Sequence, residues 1–224
     1  MDGVGDEQSS ESDADTDGTN DESNDSAEEM PSGECEDSHL YAQELVSFVP
    51  GEGAGYGQDK LPNVVLGPPQ IGEPISGSTD VLSLGVGGEI VLAFVDVTIV
   101  DGPGDDFVVW ENPFWINGDE TQPFYEMGQI SVSQDGENWF SFDCEPGPGG
   151  ALDEQCAGRR PRLSFDPCSD SLDATETGGD GFDLSDLGVE AVQFIKINDM
   201  AVRGSAPSAG FDLDAVGAVN FESQ

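Results

Sequence analysis

The stretch DGPGDDFVVWENPF, residues 101–114, sets three aspartates among glycines and a proline, then runs into an apolar segment that a glutamate interrupts. Asp101, Asp105, Asp106 and Glu111 supply hard oxygen donors, and the glycines let the backbone turn its carbonyls inward. That mixture suits calcium, which takes about six to eight oxygens from carboxylates and carbonyls. Strand alternation from Asp106 puts Phe107 and Val109 on the core face and Val108 and Trp110 on the other. Glu111 then returns to the core face near the sheet edge. Asp212 and Asp214 flank Leu213 in FDLDAV, a further group of acids at the start of the last β-rich run. GGDGFDLSD offers Asp180 and Asp183 as a second metal-binding group, although Asp183 is equally placed to cap a short helix at DLSDLGVE. The rival to a metal centre is a plain turn, since Asp and Gly favour turns for backbone reasons alone.

Other chemistry finds little material. His39 is the one histidine, which argues against a Ser-His-Asp triad, a Cys-His pair or a His-rich zinc site. Cys35, Cys144, Cys156 and Cys168 form no C-x-x-C pair, so disulfides in an oxidising compartment are expected instead. Cys144 and Cys156 are 12 residues apart. Bridging them leaves Cys35 for Cys168. In the first 38 residues, Asp13, Asp15, Asp17, Gly18 and Asp21 follow an EF-hand-like spacing. Asn24 stands where the bidentate glutamate belongs, and no apolar helices flank the loop. A solvated acidic tract accounts for it better.

The charge balance narrows the partners. The 224 residues carry 47 acids against 6 bases, a formal net charge of −41. Phosphate backbones and anionic lipid surfaces repel such a chain, so nucleic acid is excluded as a partner. Arg159, Arg160 and Arg162 form the one basic cluster. No apolar run reaches the roughly 18 residues of a membrane helix, so no transmembrane segment is expected. MDGVGDEQSSESDADTDG has neither a charged n-region nor an apolar core. An export signal or a lipid-anchor cysteine is therefore expected ahead of Met1.

The elements that must hold these residues come in two parts. Residues 1–38 are almost free of apolar side chains and carry 15 of the acids; they are expected to be a disordered, self-repelling linker or stalk. From residue 39 to 224 short β-rich runs such as EIVLAFVDVTIV, DFVVWE, QISVSQ and AVQFIKI alternate with Gly, Pro, Asp and Asn, which predicts an all-β sandwich. Asp135-Gly136 is expected to form a tight hairpin turn between QISVSQ and NWFSF, with Phe140 and Phe142 on one face of the return strand. The long segment from Phe142 to Asp183 holds three of the cysteines and is expected to be stapled.

The segments VSFVPGEGAGYGQDKLPNVVLGPP, GSTDVLSLGVGGEIVLAFVDVTIVDGPGDDFVVWENPF, ISVSQDGENWFSF, GGDGFDLSDLG and FDLDAVGAVN resemble a family of bacterial secreted or cell-surface proteins, often lipoproteins with an acidic linker. The resemblance runs from about residue 46 to residue 221. ISVSQDGENW and FIKI also resemble the galactose-binding-like jelly roll of discoidin-type domains. This implies two packed antiparallel sheets, often with a structural calcium ion, and a last strand near the early loops, from which Asp212 and Asp214 are expected to complete the site at DGPGDD.

The function expected is a non-catalytic, calcium-binding domain outside the cell or on its surface, binding glycan or a surface or matrix protein, or serving adhesion. Tyr56, Trp115 and Phe124 are the aromatics available to stack on sugar rings. The alternative is a carboxylate-dependent hydrolase such as a glycoside hydrolase, which needs two carboxyls at a defined separation and one raised pKa. Adaptation to a saline habitat would explain the acidity without any ligand.

Overall fold

The run EIVLAFVDVTIV divides at Asp96, as its single charge suggests. It yields β3 (Glu89–Ala93) and β4 (Val97–Val100). These belong to a computed structural model that describes residues 38–69, 78–112, 114–115, 119, 123–145, 155–160 and 172–224. The chain divides into Met1–Gly33 and Glu34–Gln224, and all that follows concerns the second unit. The acidic linker and its EF-hand-like spacing lie outside the described residues.

The fold is all-β and antiparallel. One sheet runs β1 (Glu44–Val49), β3, β13 (Phe194–Asp199), β8 (Gly128–Ser133) and β10 (Cys156–Ala157), with β9 (Phe140–Ser141) also paired to β8. A second runs β11 (Asp180–Phe182), β5 (Phe107–Glu111), β14 (Asp212–Ala218) and β2 (Leu82–Ser83). Smaller sheets join β12 (Ala191–Val192), β4 and β15 (Phe221–Ser223), and pair β6 (Phe114–Trp115) with β7 (Pro123–Phe124). Among the described residues no helix is long and apolar enough to cross a membrane.

Ile90, Leu92, Ile130, Val132, Ile195 and Ile197 from the first sheet pack with Phe107, Val109, Phe182 and Val216 from the second. This shared core makes the pair a sandwich. β5 lies at its centre, buried at every residue. The face opposite the core is also covered. Val108 and Trp110 pack there with Leu40, Tyr41, Leu172, Ala174 and Ala215. A strand apolar on both faces therefore reads as a continuous apolar run.

β14 keeps its apolar residues inward only by means of a bulge. The register to β5 slips between Leu213 and Ala215, so Leu213 and Val216 both reach the core although their numbers differ in parity. Asp214 sits at that slip and is 5% exposed.

The hairpin at Asp135-Gly136 forms with a wider turn than the sequence suggests. Val132 pairs with Phe140, which leaves residues 133–139 in the connection. The Asp135 carboxylate organises this loop, accepting the N–H groups of Glu137 and Asn138, both at 2.8 Å. These bonds, first those from Asn138, hold its carboxyl well below the usual range. Phe142 enters the core, while Phe140 stays 49% exposed. The helix expected at DLSDLGVE is a single 3-10 turn, Leu184–Asp186, capped by Asp183. A four-residue helix α1 (Ala174–Thr177), capped by Asp173, was not foreseen.

Candidate functional site

Two groups of carboxylates stand at opposite ends of β5, about 16 Å apart along the strand. At the start of the strand, Asp101, Asp106 and Asp183 each bring one carboxylate oxygen within 4.8 Å of the other two. This is the one such trio among the described residues. Asp101 follows β4 and opens the DGPGDD turn, which Asp106 closes. Asp183 arrives from the neighbouring strand, because β11 pairs Phe182 with Phe107.

Asp106 is fully buried and holds the turn together. Its Oδ1 accepts the Gly102 N–H and the Asn220 Nδ2, both at 2.8 Å, and its Oδ2 accepts the Leu184 N–H at 2.7 Å. An ionised carboxylate has about four acceptor positions, so these donors leave room for a further ligand. Burial raises the Asp106 carboxyl, and the bonds from Leu184, Asn220 and Gly102 pull it back. Asp183 accepts the Ser185 N–H at 2.8 Å through Oδ1, and Asp101 is exposed. Three carboxylates this close repel one another unless a proton or a cation lies between them. They supply only oxygen, which favours a hard cation.

Asp105 lies beside the trio, directly over Gly181; a Cβ at that position would collide with its carboxyl. Burial raises its pKa, and Asp173, Asp183 and Asp106 add to this against the pull of Arg160. A cavity of about 170 Å³ adjoins, lined in part by Asp105, Asp183, Asp186, Arg159 and Arg160.

Asp180 does not join Asp183. Its Oδ2 accepts the Arg159 N–H at 2.8 Å, and Arg159 Nη2 lies 3.1 Å from its Oδ1, with side chains 1% and 8% exposed. Arg159 Nε also donates to the Cys156 carbonyl at 2.8 Å. Burial raises the Asp180 carboxyl even against both arginines. Asp180 therefore belongs to a buried ion pair beside the Cys144–Cys156 disulfide. Closing that loop contributes roughly 3 kcal/mol on the chain-entropy view. Cys35 and Cys168 lie outside the described residues.

At the far end of β5 the register pairs Glu111 with Leu213. Asp212 thus comes to Glu111, and neither reaches the DGPGDD turn. Glu111 is 4% exposed and its Oε2 has no hydrogen-bond partner. Its pKa is held well above the usual range, first by burial, then by the charges of Asp212 and Glu126. Glu126 is pushed up to about 8 by burial and by Asp212, against the Gly210 N–H that it accepts at 3.1 Å. Asp212 is pushed up to about 6 by burial, against a hydrogen bond from Ser83 Oγ. Asp199, nearby, is satisfied by the N–H groups of Phe211, Gly87 and Ala201 at 2.7, 2.9 and 3.0 Å.

Of the six residues expected in one calcium site, Asp101 and Asp106 meet, Asp105 adjoins them, Glu111 and Asp212 form a separate group, and Asp214 occupies the β14 bulge. Asp183, assigned to a second group, joins the first. Sequence reasoning missed Glu126, whose neighbourhood in YEMG carries no spacing signal, and Asn220, which ends FDLDAVGAVN with no acidic neighbour to mark it. Of the aromatics expected to meet sugar, Tyr56 donates its hydroxyl to the Thr79 carbonyl at 2.8 Å. Phe124 is 41% exposed, and the Trp115 side chain lies outside the described residues. The sequence matches no model of a known protein family and no curated protein.

Proposed function

We propose that this chain is a non-catalytic, calcium-stabilised β-sandwich module that works outside the cell or on its surface, recognising glycan or protein or serving adhesion. The observation that carries the reading is the convergence of Asp101, Asp106 and Asp183 from two separate turns onto one point. A calcium ion there would cross-link the DGPGDD turn to the turn after β11, using carboxylates that otherwise repel. The Cys144–Cys156 bridge supports an oxidising location. The galactose-binding-like jelly roll is the finer fold reading. A groove of about 420 Å³, bordered by Phe124, Glu126 and Arg203, offers an aromatic and charges of both signs to a ligand.

The test is calcium-specific stabilisation. An ion that binds only the folded state contributes about 2.7 kcal/mol at a hundredfold excess over Kd, or very roughly 5–10 °C in Tm for a unit of this size. Magnesium should give much less, since it demands octahedral geometry and keeps its water. Asp101→Asn is the diagnostic variant, because Asp101 is exposed, whereas Asp106→Asn also disturbs three internal hydrogen bonds. Equal responses to both ions, or a full calcium response in Asp101→Asn, would sink the reading.

A further inference from the structure

Among the buried carboxylates, Glu111 stands apart. Asp106 and Asp199 each accept three donors, and Asp180, whose Oδ1 also lacks a hydrogen bond, has the Arg159 guanidinium 3.1 Å from that oxygen as a counter-charge. Glu111 Oε2 is enclosed without a partner, and the groups that act on it through space are Asp212 and Glu126, both of its own sign. No Lys or Arg is among the groups that shift Glu111, Glu126 or Asp212. A buried carboxylate facing two half-buried ones, with no described Lys or Arg acting on it, is an arrangement that a bound cation resolves.

We propose that Glu111 and Glu126, with Asp212 beside them, hold a second divalent cation, calcium by ligand type, at the end of β5 remote from Asp101, Asp106 and Asp183. The donors are carboxylates with the Ser83 hydroxyl next to Asp212, which suits calcium over the softer transition metals. These oxygens do not all lie within the 4.8 Å that joins the first trio, so the side chains would draw in around the ion. Ligands on opposite sides of the ion lie roughly 5 Å apart, twice the usual bond length of about 2.3–2.6 Å, with water filling the remaining positions. Access is provided too. Glu126 borders the 420 Å³ groove that opens past Phe124, Arg203 and Ser208, so one of the proposed ligands faces solvent. The ion would tie four parts of the chain together: the end of β5, the segment before β8, the start of β14 and, through Ser83, β2.

This site stands independently of the one under the proposed function, and the experiment separates them. Calcium uptake is measured by equilibrium dialysis with radiolabelled calcium on the full chain, in concentrated potassium chloride to screen weak surface association. Wild type should take up two ions per chain. Glu126→Gln should keep its fold, checked by near-ultraviolet circular dichroism, and bind one. Asp101→Asn should also bind one, and the double variant none. Glu111→Gln, nearly equal in shape, repeats the test within the core and should match Glu126→Gln. Uptake of one ion by wild type and Glu126→Gln alike, with loss in Asp101→Asn, overturns the second site and leaves the first. Uptake of one ion by wild type and by Asp101→Asn, with loss in Glu126→Gln, supports the second site and removes the first. Two ions retained in Glu126→Gln or Glu111→Gln overturns this inference.

Discussion

Arg159→Met removes the guanidinium that meets Asp180 at 3.1 Å. The side chains are 8% and 1% exposed, and the remaining base, Arg160, is half exposed with its Nε 3.9 Å from the same oxygen. Asp180 keeps the N–H groups of residues 159 and 160, and losing one partner of a buried pair costs about 3–5 kcal/mol. Protonation caps that cost. Neutralising at pH 7 a carboxyl whose ordinary value is 3.8 requires about 4.4 kcal/mol, at 1.36 kcal/mol per pH unit. Burial already raises Asp180 in the folded state, and loss of the arginine raises it further. A raised carboxyl contributes stability that is complete below its unfolded value and lost as pH rises through the folded one. The variant should therefore trail wild type by about 3–4 kcal/mol at pH 7 and by at most about 1.6 kcal/mol at pH 5. Urea unfolding, followed by tryptophan fluorescence, should show a midpoint lowered by roughly 1.5 M at pH 7. Asp180→Asn in the same chain should recover part of the loss. A deficit below about 1 kcal/mol at pH 7, or one equal at both pH values, would refute the reasoning.

Other consequences are open to direct measurement. In calcium-free buffer, Asp212, held at about 6 against an ordinary 3.8, contributes stability that is complete below pH 3.8 and lost as pH rises through 6. The span is at most about 3 kcal/mol before solvent screening. Asp212→Asn should flatten the fall in unfolding free energy across that window, and an unchanged slope would show that Asp212 is not its source. Gly217→Ala would place a Cβ 2.7 Å from Leu172 Cδ1 and 2.9 Å from Trp110 Cζ3. Overpacking costs about 1–3 kcal/mol, against a gain of about 0.5–1 kcal/mol from replacing glycine in a strand. Thermal melts should show a net loss, and a stabilised variant would contradict the packing.

Local pattern carried the strands and lost the long-range register. The charge at Asp96 marks the break between β3 and β4, and alternation in DFVVWE assigns Phe107 and Val109 to the core. What alternation cannot state is that the other face is covered by Leu40, Tyr41 and Leu172, residues far away in the chain. The one-site calcium expectation divided for the same reason. Asp105, Asp106 and Glu111 are close in sequence, but a strand separates its ends by about 3.3 Å per residue. A five-residue strand therefore carries Glu111 out of reach of the turn. Antiparallel pairing then brings Asp212 to Glu111 and Asn220 to Asp106. The arginine cluster is visible as an oddity in an acidic chain, but its pairing with Asp180 is not, because sequence spacing does not distinguish a carboxylate facing a metal ion from one facing a guanidinium.

The treatment of each buried acid then separates structural carboxylates from candidate ligands. Asp106, Asp180 and Asp199 are all buried, and their pKa values are raised by burial while hydrogen bonds oppose it. Each has donors in the fold that are as fixed as the backbone, so each is an acceptable interior anion without an ion. Asp106 is thus both a turn-closing group and a donor to the first centre, whose ion would add to an arrangement that stands without it. Glu111 has backbone N–H groups of Asp212 and Asn112 working against the rise in its pKa, but among the described residues its Oε2 stays unpaired, and Glu126 accepts one backbone N–H. Their end of β5 should therefore be the more dependent on an ion or on bound protons. If so, removing calcium loosens the segment around Glu126 and the start of β14 before it disturbs the DGPGDD turn. Amide exchange with and without calcium orders the two ends directly.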